Sequence, residues 1–148
     1  MSHPIIVILA CFVTIFIGQV FKFFTHYFKS GKFSTRILVR SGGMPSTHTS
    51  CVTTLAALIG LFEGPNTFYF AISVALALIV TYDAMGVRLE ASKHAVILNR
   101  IVRDMRSLNN EYENDKELKE LLGHTPNEVI CGFILGITVS IIAFLIFR

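Results

Sequence analysis

The chain has 148 residues, of which 53% are hydrophobic and only 16% charged, with a formal net charge of +3. Its mean hydropathy of +0.62 is too high for a soluble domain of this size, so the composition indicates an integral membrane protein. The small basic excess lies between apolar runs, where it sets topology, and this argues against nucleic-acid binding. The three cysteines lack a C-x-x-C spacing, so neither a zinc site nor a disulfide framework is indicated.

Four apolar runs are predicted to be membrane-spanning helices: residues 4–24, 49–62, 67–82 and 129–147. About 20 apolar helical residues cross a hydrocarbon core of roughly 30 Å. Turn residues 63–66 join the second and third runs into a helical hairpin. The fourth run contains Gly132 and Gly136, a spacing that lets helices approach closely in lipid. The predicted fold is an all-α integral membrane bundle of about four spans, forming one domain over residues 1–148.

Two polar regions, residues 22–44 and 83–127, contain all the lysines and arginines except Arg148. The loop predicted on the opposite side contains Glu63, so the positive-inside rule places both polar regions in the cytoplasm. Residues 88–108 have the apolar spacing of an amphipathic helix that can lie along the membrane surface. Residues 116–122 predict a further short helix, and the compact form with short loops indicates a bacterial inner membrane protein.

The first candidate site lies in the stretch Ser41-Gly-Gly-Met-Pro-Ser-Thr-His48, which separates two apolar runs. The glycines and Pro45 end whatever precedes them, and Ser46 or Thr47 can cap the next helix. His48 then falls in the first helical turn, where free backbone N–H groups and the helix dipole favour an anion. Ser46, Thr47 and His48 are therefore candidates for a phosphate site.

A second stretch of the same design, Gly123-His-Thr-Pro-Asn-Glu128, precedes the last apolar run. If both runs begin at the same membrane face, His124 and His48 lie at one depth and can face one pocket. Two imidazoles and the Glu128 carboxylate suit a two-step phosphoryl transfer, with one nucleophile, one acid and one orienting group. The alternative for Glu128 is a capping box with Thr125, and the two roles are compatible.

Basic side chains on the predicted cytoplasmic side are candidates to hold phosphoryl oxygens. They are Arg88, Arg40, Lys93 and Lys22. Asp83 lies near Arg88 in sequence, so these two residues are either part of the site or a simple ion pair at the membrane edge.

Three motifs occur in order with apolar runs between them: Ser41-Gly-Gly-Met-Pro-Ser-Thr-His48, Tyr82-Asp-Ala-Met-Gly-Val-Arg88 and Leu122-Gly-His-Thr-Pro-Asn-Glu-Val129. Together they resemble the divergent branch of the type 2 phosphatidic acid phosphatase family, a group related to acid phosphatases and vanadium-dependent haloperoxidases. The resemblance covers nearly the whole chain. By this resemblance His48 protonates the leaving group, His124 is the phosphate nucleophile, and Glu128 stands in the place of an orienting aspartate.

The chain departs from the superfamily pattern at several positions. Thr47 replaces a glycine, Glu128 is longer than the usual aspartate, and Leu118 stands where an arginine precedes the nucleophile. The superfamily's first motif is matched only loosely, by Lys29 and Arg36. Arg88 is the preferred replacement for the missing phosphate-binding groups, followed by Arg40.

The resemblance implies a metal-independent membrane lipid phosphate phosphohydrolase that needs no cofactor and uses a phosphohistidine. Its partners would be membrane lipids and a substrate that is a phosphomonoester or diphosphate on a lipid tail. Four spans are fewer than the six usual in this superfamily, so a homodimer could complete the bundle. The alternative function is a non-catalytic membrane module that binds anionic lipid head groups or a partner protein.

Overall fold

The computed structural model describes residues 2–30, 43–108, 118 and 123–148. These residues form five helices and no strand: α1 (His3–Ser30), α2 (Thr47–Phe62), α3 (Phe68–Met85), α4 (Val87–Leu108) and α5 (Pro126–Phe147). Three helical segments are long and apolar enough to cross a membrane, namely His3–Phe28, Phe68–Met105 and Pro126–Phe147. The prediction of an all-α membrane bundle is therefore confirmed.

The helices differ from the predicted runs mainly in length. α1 continues to Ser30, because residues 25–30 contain no glycine or proline to end it. α2 has 16 residues, a length of about 24 Å, so its crossing of the membrane stays a prediction. α4 covers the predicted amphipathic segment, and Gly86 separates it from α3. The predicted short helix at 116–122 lies outside the described residues apart from Leu118.

α2 is the central helix, because it packs against α1, α3 and α5 more extensively than these three pack against one another. Buried hydroxyl groups connect it to two of these neighbours. The hydroxyls of Thr54 and Thr14 lie 3.0 Å apart, and Thr54 also donates to the Gly136 carbonyl at 3.3 Å. Ser140 donates to the Thr54 carbonyl at 3.4 Å. In an apolar bundle such bonds satisfy buried polar groups and contribute to helix association.

Two glycines of α5 bring its backbone against α2. A Cβ atom at Gly132 would lie 2.5 Å from the carbonyl oxygen of Ser46, and one at Gly136 would lie 2.6 Å from that of Ser50. The structure thus has the close helix approach that the Gly-x-x-x-Gly spacing indicates. This contact brings the beginnings of α2 and α5 together.

Gly132→Ala is expected to destabilise the protein by about 1–3 kcal/mol, because the added methyl group meets a backbone carbonyl that cannot rotate away. Gly60→Ala is the matched control, since its methyl group would meet only the ring of Phe70, which can move. Thermal unfolding of both variants in detergent measures the difference. An unfolding temperature for Gly132→Ala at or above that of Gly60→Ala would contradict close packing at this point.

Candidate active site

His48 is positioned by the start of α2. Ser46 is the N-cap residue, and its hydroxyl oxygen accepts from the backbone N–H of Thr49 at 3.4 Å. α2 begins at Thr47, so His48 lies in the first turn, with an exposed side chain. The two residues before it are buried, which fixes the helix end against the bundle while the imidazole stays accessible.

His124 is held from three sides. Its backbone N–H donates to the carbonyl of Ala84, at the end of α3, at 3.0 Å. The preceding Gly123 lies against the backbone of α4, where a Cβ atom would be 2.4 Å from the Leu89 nitrogen. The imidazole is buried, and its Nδ1 lies 2.9 Å from Oε2 of Glu128, one helical turn later. His124 therefore has a fixed ring orientation.

Glu128 makes both of the contacts that its position predicts. Its Oε2 accepts from the backbone N–H of Thr125, the N-cap residue of α5, at 3.4 Å, and also contacts His124. Glutamate is longer than aspartate, yet its carboxylate reaches the ring because it sits within the first turn of α5. The Glu128 backbone carbonyl accepts from the Ser46 N–H at 2.9 Å, which ties the two helix starts together.

The two imidazoles lie at the same end of the bundle. Their ring centroids are 6.4 Å apart, and the ring planes are inclined by 54°. Arg88, Lys22 and Asp83 are charged side chains close enough to His48 to act on it electrostatically. Two imidazoles, two basic groups and the carboxylates of Asp83 and Glu128 therefore lie near one another at this end of the bundle.

Lys22 is the buried cation of this site. Its side chain on α1 has only 2% of its surface exposed, and Nζ donates to the Thr47 hydroxyl at 3.3 Å. Gly18, one turn earlier, makes room for Thr47, because a Cβ atom there would lie 2.7 Å from the Thr47 methyl carbon. Thr47, which stands where the superfamily has a glycine, therefore fits against Gly18 of α1 and contacts Lys22.

The other basic candidates occupy different settings. Arg88 Nε lies 2.6 Å from Asp83 Oδ2, and this half-exposed ion pair joins α3 to α4 near His48. Lys93 Nζ lies 2.7 Å from Glu90 Oε1 in an exposed pair on α4. Arg40 lies outside the described residues.

Sequence reasoning missed the backbone groups that position the two histidines. The Ala84 carbonyl and the Gly123 contact depend on how α3 and α4 meet the segment before α5, and no local signal marks them. Gly18 has a weak signal, since a glycine one turn before a lysine in an apolar helix indicates a close neighbour. Within residues 2–30, 43–108, 118 and 123–148, no three His, Cys, Asp or Glu side chains are grouped to hold a metal ion.

The helical bundle and the paired imidazoles define an all-α membrane protein with a two-histidine cluster at one end. The chain belongs to the family described as Divergent PAP2, which matches residues 4–139. It is 35% identical over 144 residues to the "Uncharacterized membrane protein YuiD" of Bacillus subtilis (strain 168), and the match covers 91% of each chain. No solved structure matches the chain.

Lys22→Met is expected to weaken the binding of orthovanadate, a phosphate analogue, at least tenfold, because it removes the buried positive charge beside Thr47. Lys93→Met is the matched control and is expected to change the affinity less than twofold, since Lys93 pairs with Glu90 on an exposed face. Isothermal titration in detergent measures both affinities. Equal losses in the two variants would mean that Lys22 has no special place in anion binding.

Proposed function

We propose that this protein is a membrane lipid phosphate phosphohydrolase that acts through a phosphohistidine intermediate. The main support for this proposal is the contact between His124 Nδ1 and Glu128 Oε2, which are 2.9 Å apart. A second imidazole, that of His48, lies beside this pair, with its ring centroid 6.4 Å from that of His124. A carboxylate that accepts from Nδ1–H leaves the lone pair of Nε2 free for attack. This is the tautomer that a nucleophilic histidine requires.

In the first step, Nε2 of His124 attacks phosphorus and the bond between phosphorus and the lipid oxygen breaks. Protonated His48 gives its proton to the leaving alkoxide, and a lipid alcohol departs. Lys22 and Arg88 stabilise the charge on the phosphoryl oxygens, and Glu128 stabilises the positive charge that develops on His124.

In the second step, water attacks the phosphohistidine and the bond between phosphorus and Nε2 breaks. His48, now neutral, accepts the proton from this water and returns to its starting state. Inorganic phosphate leaves, and His124 recovers its lone pair. His48 thus acts as the acid in the first step and the base in the second, while His124 is first the nucleophile and then the leaving group. No external oxidant or reductant is needed.

The apolar bundle around the site supports a lipid as the substrate. A phosphomonoester or diphosphate on a lipid tail can bring its head group to His48 while its tail stays in hydrocarbon. The basic groups around His48 support a cytoplasmic site by the positive-inside rule, and the Bacillus subtilis relative supports a bacterial membrane location. Both assignments are part of the proposal.

The test is phosphate release by the purified protein in detergent from a panel of lipid phosphates, with and without EDTA and vanadate. Release that resists EDTA and is inhibited by vanadate is expected. His124→Ala should lower it by a factor of about 100 or more, because the nucleophile is lost. His94→Ala, which changes an exposed histidine of α4, should retain full activity. Retained anion binding without release from any lipid would favour a head-group-binding module instead.

The two histidines can be distinguished by the choice of leaving group. His48→Gln should slow release from a lipid phosphate about 100-fold or more, because the alkoxide then leaves without a proton. The same variant should slow the first step with p-nitrophenyl phosphate less than tenfold, since nitrophenolate leaves without protonation. His124→Ala should lose both reactions. The single-turnover rates of the variants on the two substrates test this. If His48→Gln slows both substrates equally, His48 is not the acid.

A further inference from the structure

Gln19 on α1 has a buried oxygen atom that nothing in the bundle binds. In the part of the chain that the structure describes, its Oε1 is the buried side-chain polar atom without a hydrogen-bond partner. An unpaired carbonyl oxygen inside an apolar bundle costs free energy, because lipid cannot donate a hydrogen bond to it. A ligand group that donates a hydrogen bond would remove this cost, since an amide oxygen is an acceptor.

Gln19 lies at the level of the candidate active site. The residue before it, Gly18, packs against Thr47, and Lys22, three residues later, donates to the Thr47 hydroxyl at 3.3 Å. Residues three apart are neighbours on a helix surface, so Gln19 and Lys22 are adjacent on α1. The amide group therefore belongs to the same end of the bundle as the two imidazoles.

The helices α1 and α2 run antiparallel. Lys22 of α1 contacts Thr47 at the start of α2, and the rings of His3 and Phe62 stack at the opposite end. Both helices are right-handed, with about 100° of rotation per residue. When two such helices face each other in opposite directions, one step forward from a contact pair turns both chains toward the same side of their interface.

Gln19 and His48 are each one step forward from such a contact pair, because Gly18 packs against Thr47. The two side chains therefore lie on the same side of the interface between α1 and α2. The His48 side chain is exposed and that of Gln19 is half-buried. They are placed to contact one small ligand between them.

Water is the ligand that suits the Gln19 oxygen. The phosphoryl oxygens of a bound ester are acceptors and cannot pair with an amide oxygen, whereas a water molecule donates two hydrogen bonds. The second step of the proposed hydrolysis requires a water molecule at His48, which takes one of its protons. The other hydrogen is then free to be donated to Oε1 of Gln19.

We propose that Gln19 is a further catalytic residue, which accepts a hydrogen bond from the water molecule that attacks the phosphohistidine. The proposal rests on the proposed function. The water oxygen forms a bond to phosphorus, the bond between phosphorus and Nε2 of His124 breaks, and one proton passes to His48. The second hydrogen stays on the oxygen, where Gln19 holds it. Gln19 therefore acts in the second step and leaves the first step unchanged.

The test compares two replacements that remove a polar group from α1 with little change in shape. Gln19→Met removes an oxygen without a partner. Thr14→Val is the matched control, because it removes a hydroxyl that donates to the Ala10 carbonyl at 2.8 Å and lies 3.0 Å from the Thr54 hydroxyl. Thermal unfolding is measured in detergent. Single-turnover mixing with the radiolabelled lipid phosphate that the wild-type protein hydrolyses fastest, followed by alkaline quenching, gives the rates at which phosphohistidine forms and decays.

Gln19→Met should unfold at the wild-type temperature or above, because replacing an unpaired buried acceptor by an apolar group does not destabilise the fold. Its phosphohistidine should decay about tenfold more slowly or more, since the water is no longer oriented, and should form at a rate within about twofold of wild type. Thr14→Val should show the opposite pattern, with a lower unfolding temperature and a wild-type rate of decay.

An unchanged decay rate in Gln19→Met, or equal slowing of formation and decay, would overturn the assignment of Gln19 to the attacking water. An unfolding temperature below that of the wild-type protein would also overturn it, because the amide would then support the fold. Failure of the hydrolase proposal is seen separately, in the wild-type protein. If that protein forms no phosphohistidine and releases no phosphate from any lipid of the panel, the hydrolase is removed and the role of Gln19 with it.

Discussion

The close approach of α5 to α2 at Gly132 is the constraint on which the rest of the site depends. A methyl group there would collide with the Ser46 carbonyl, and the Ser46 N–H donates to the Glu128 carbonyl at 2.9 Å. In lipid no hydrophobic force drives two apolar helices together, so such packing and hydrogen bonds must hold them. Because the contact lies at the first turns, it brings His48 and Glu128 to one end of the bundle.

A buried lysine at this place is costly unless the site uses its charge. Moving an ammonium group out of water costs several kcal/mol, and a neutral hydroxyl such as that of Thr47 compensates only in part. Glu128 adds an opposite charge nearby, but that carboxylate also contacts His124. In the proposed reaction, a phosphoryl group supplies the remaining acceptors for Lys22. The cost of the buried charge is therefore better explained by anion binding than by stability of the fold.

The sequence predicts what is encoded locally. Ser46 and Thr125 are N-cap residues because proline, glycine and hydroxyl signals act within a single turn, and these signals place both histidines at helix starts. The sequence could not predict that Lys22 is buried in the site whereas Lys93 is exposed, because both are lysines on the same predicted side of the membrane. A lysine near the end of an apolar run resembles a residue that extends to the interface, and its burial depends on Thr47, which belongs to another helix.

Leu118 shows how the fold accommodates a position where the resembled superfamily has an arginine. Its backbone N–H donates to the Asn99 side-chain oxygen at 2.8 Å, and its carbonyl accepts from the Asn99 amide at 2.9 Å. Both backbone groups of Leu118 are thus bound to α4 a few residues before His124. The same helix carries Arg88 at its start. α4 therefore both anchors Leu118 ahead of His124 and carries Arg88, whose guanidinium group is paired with Asp83.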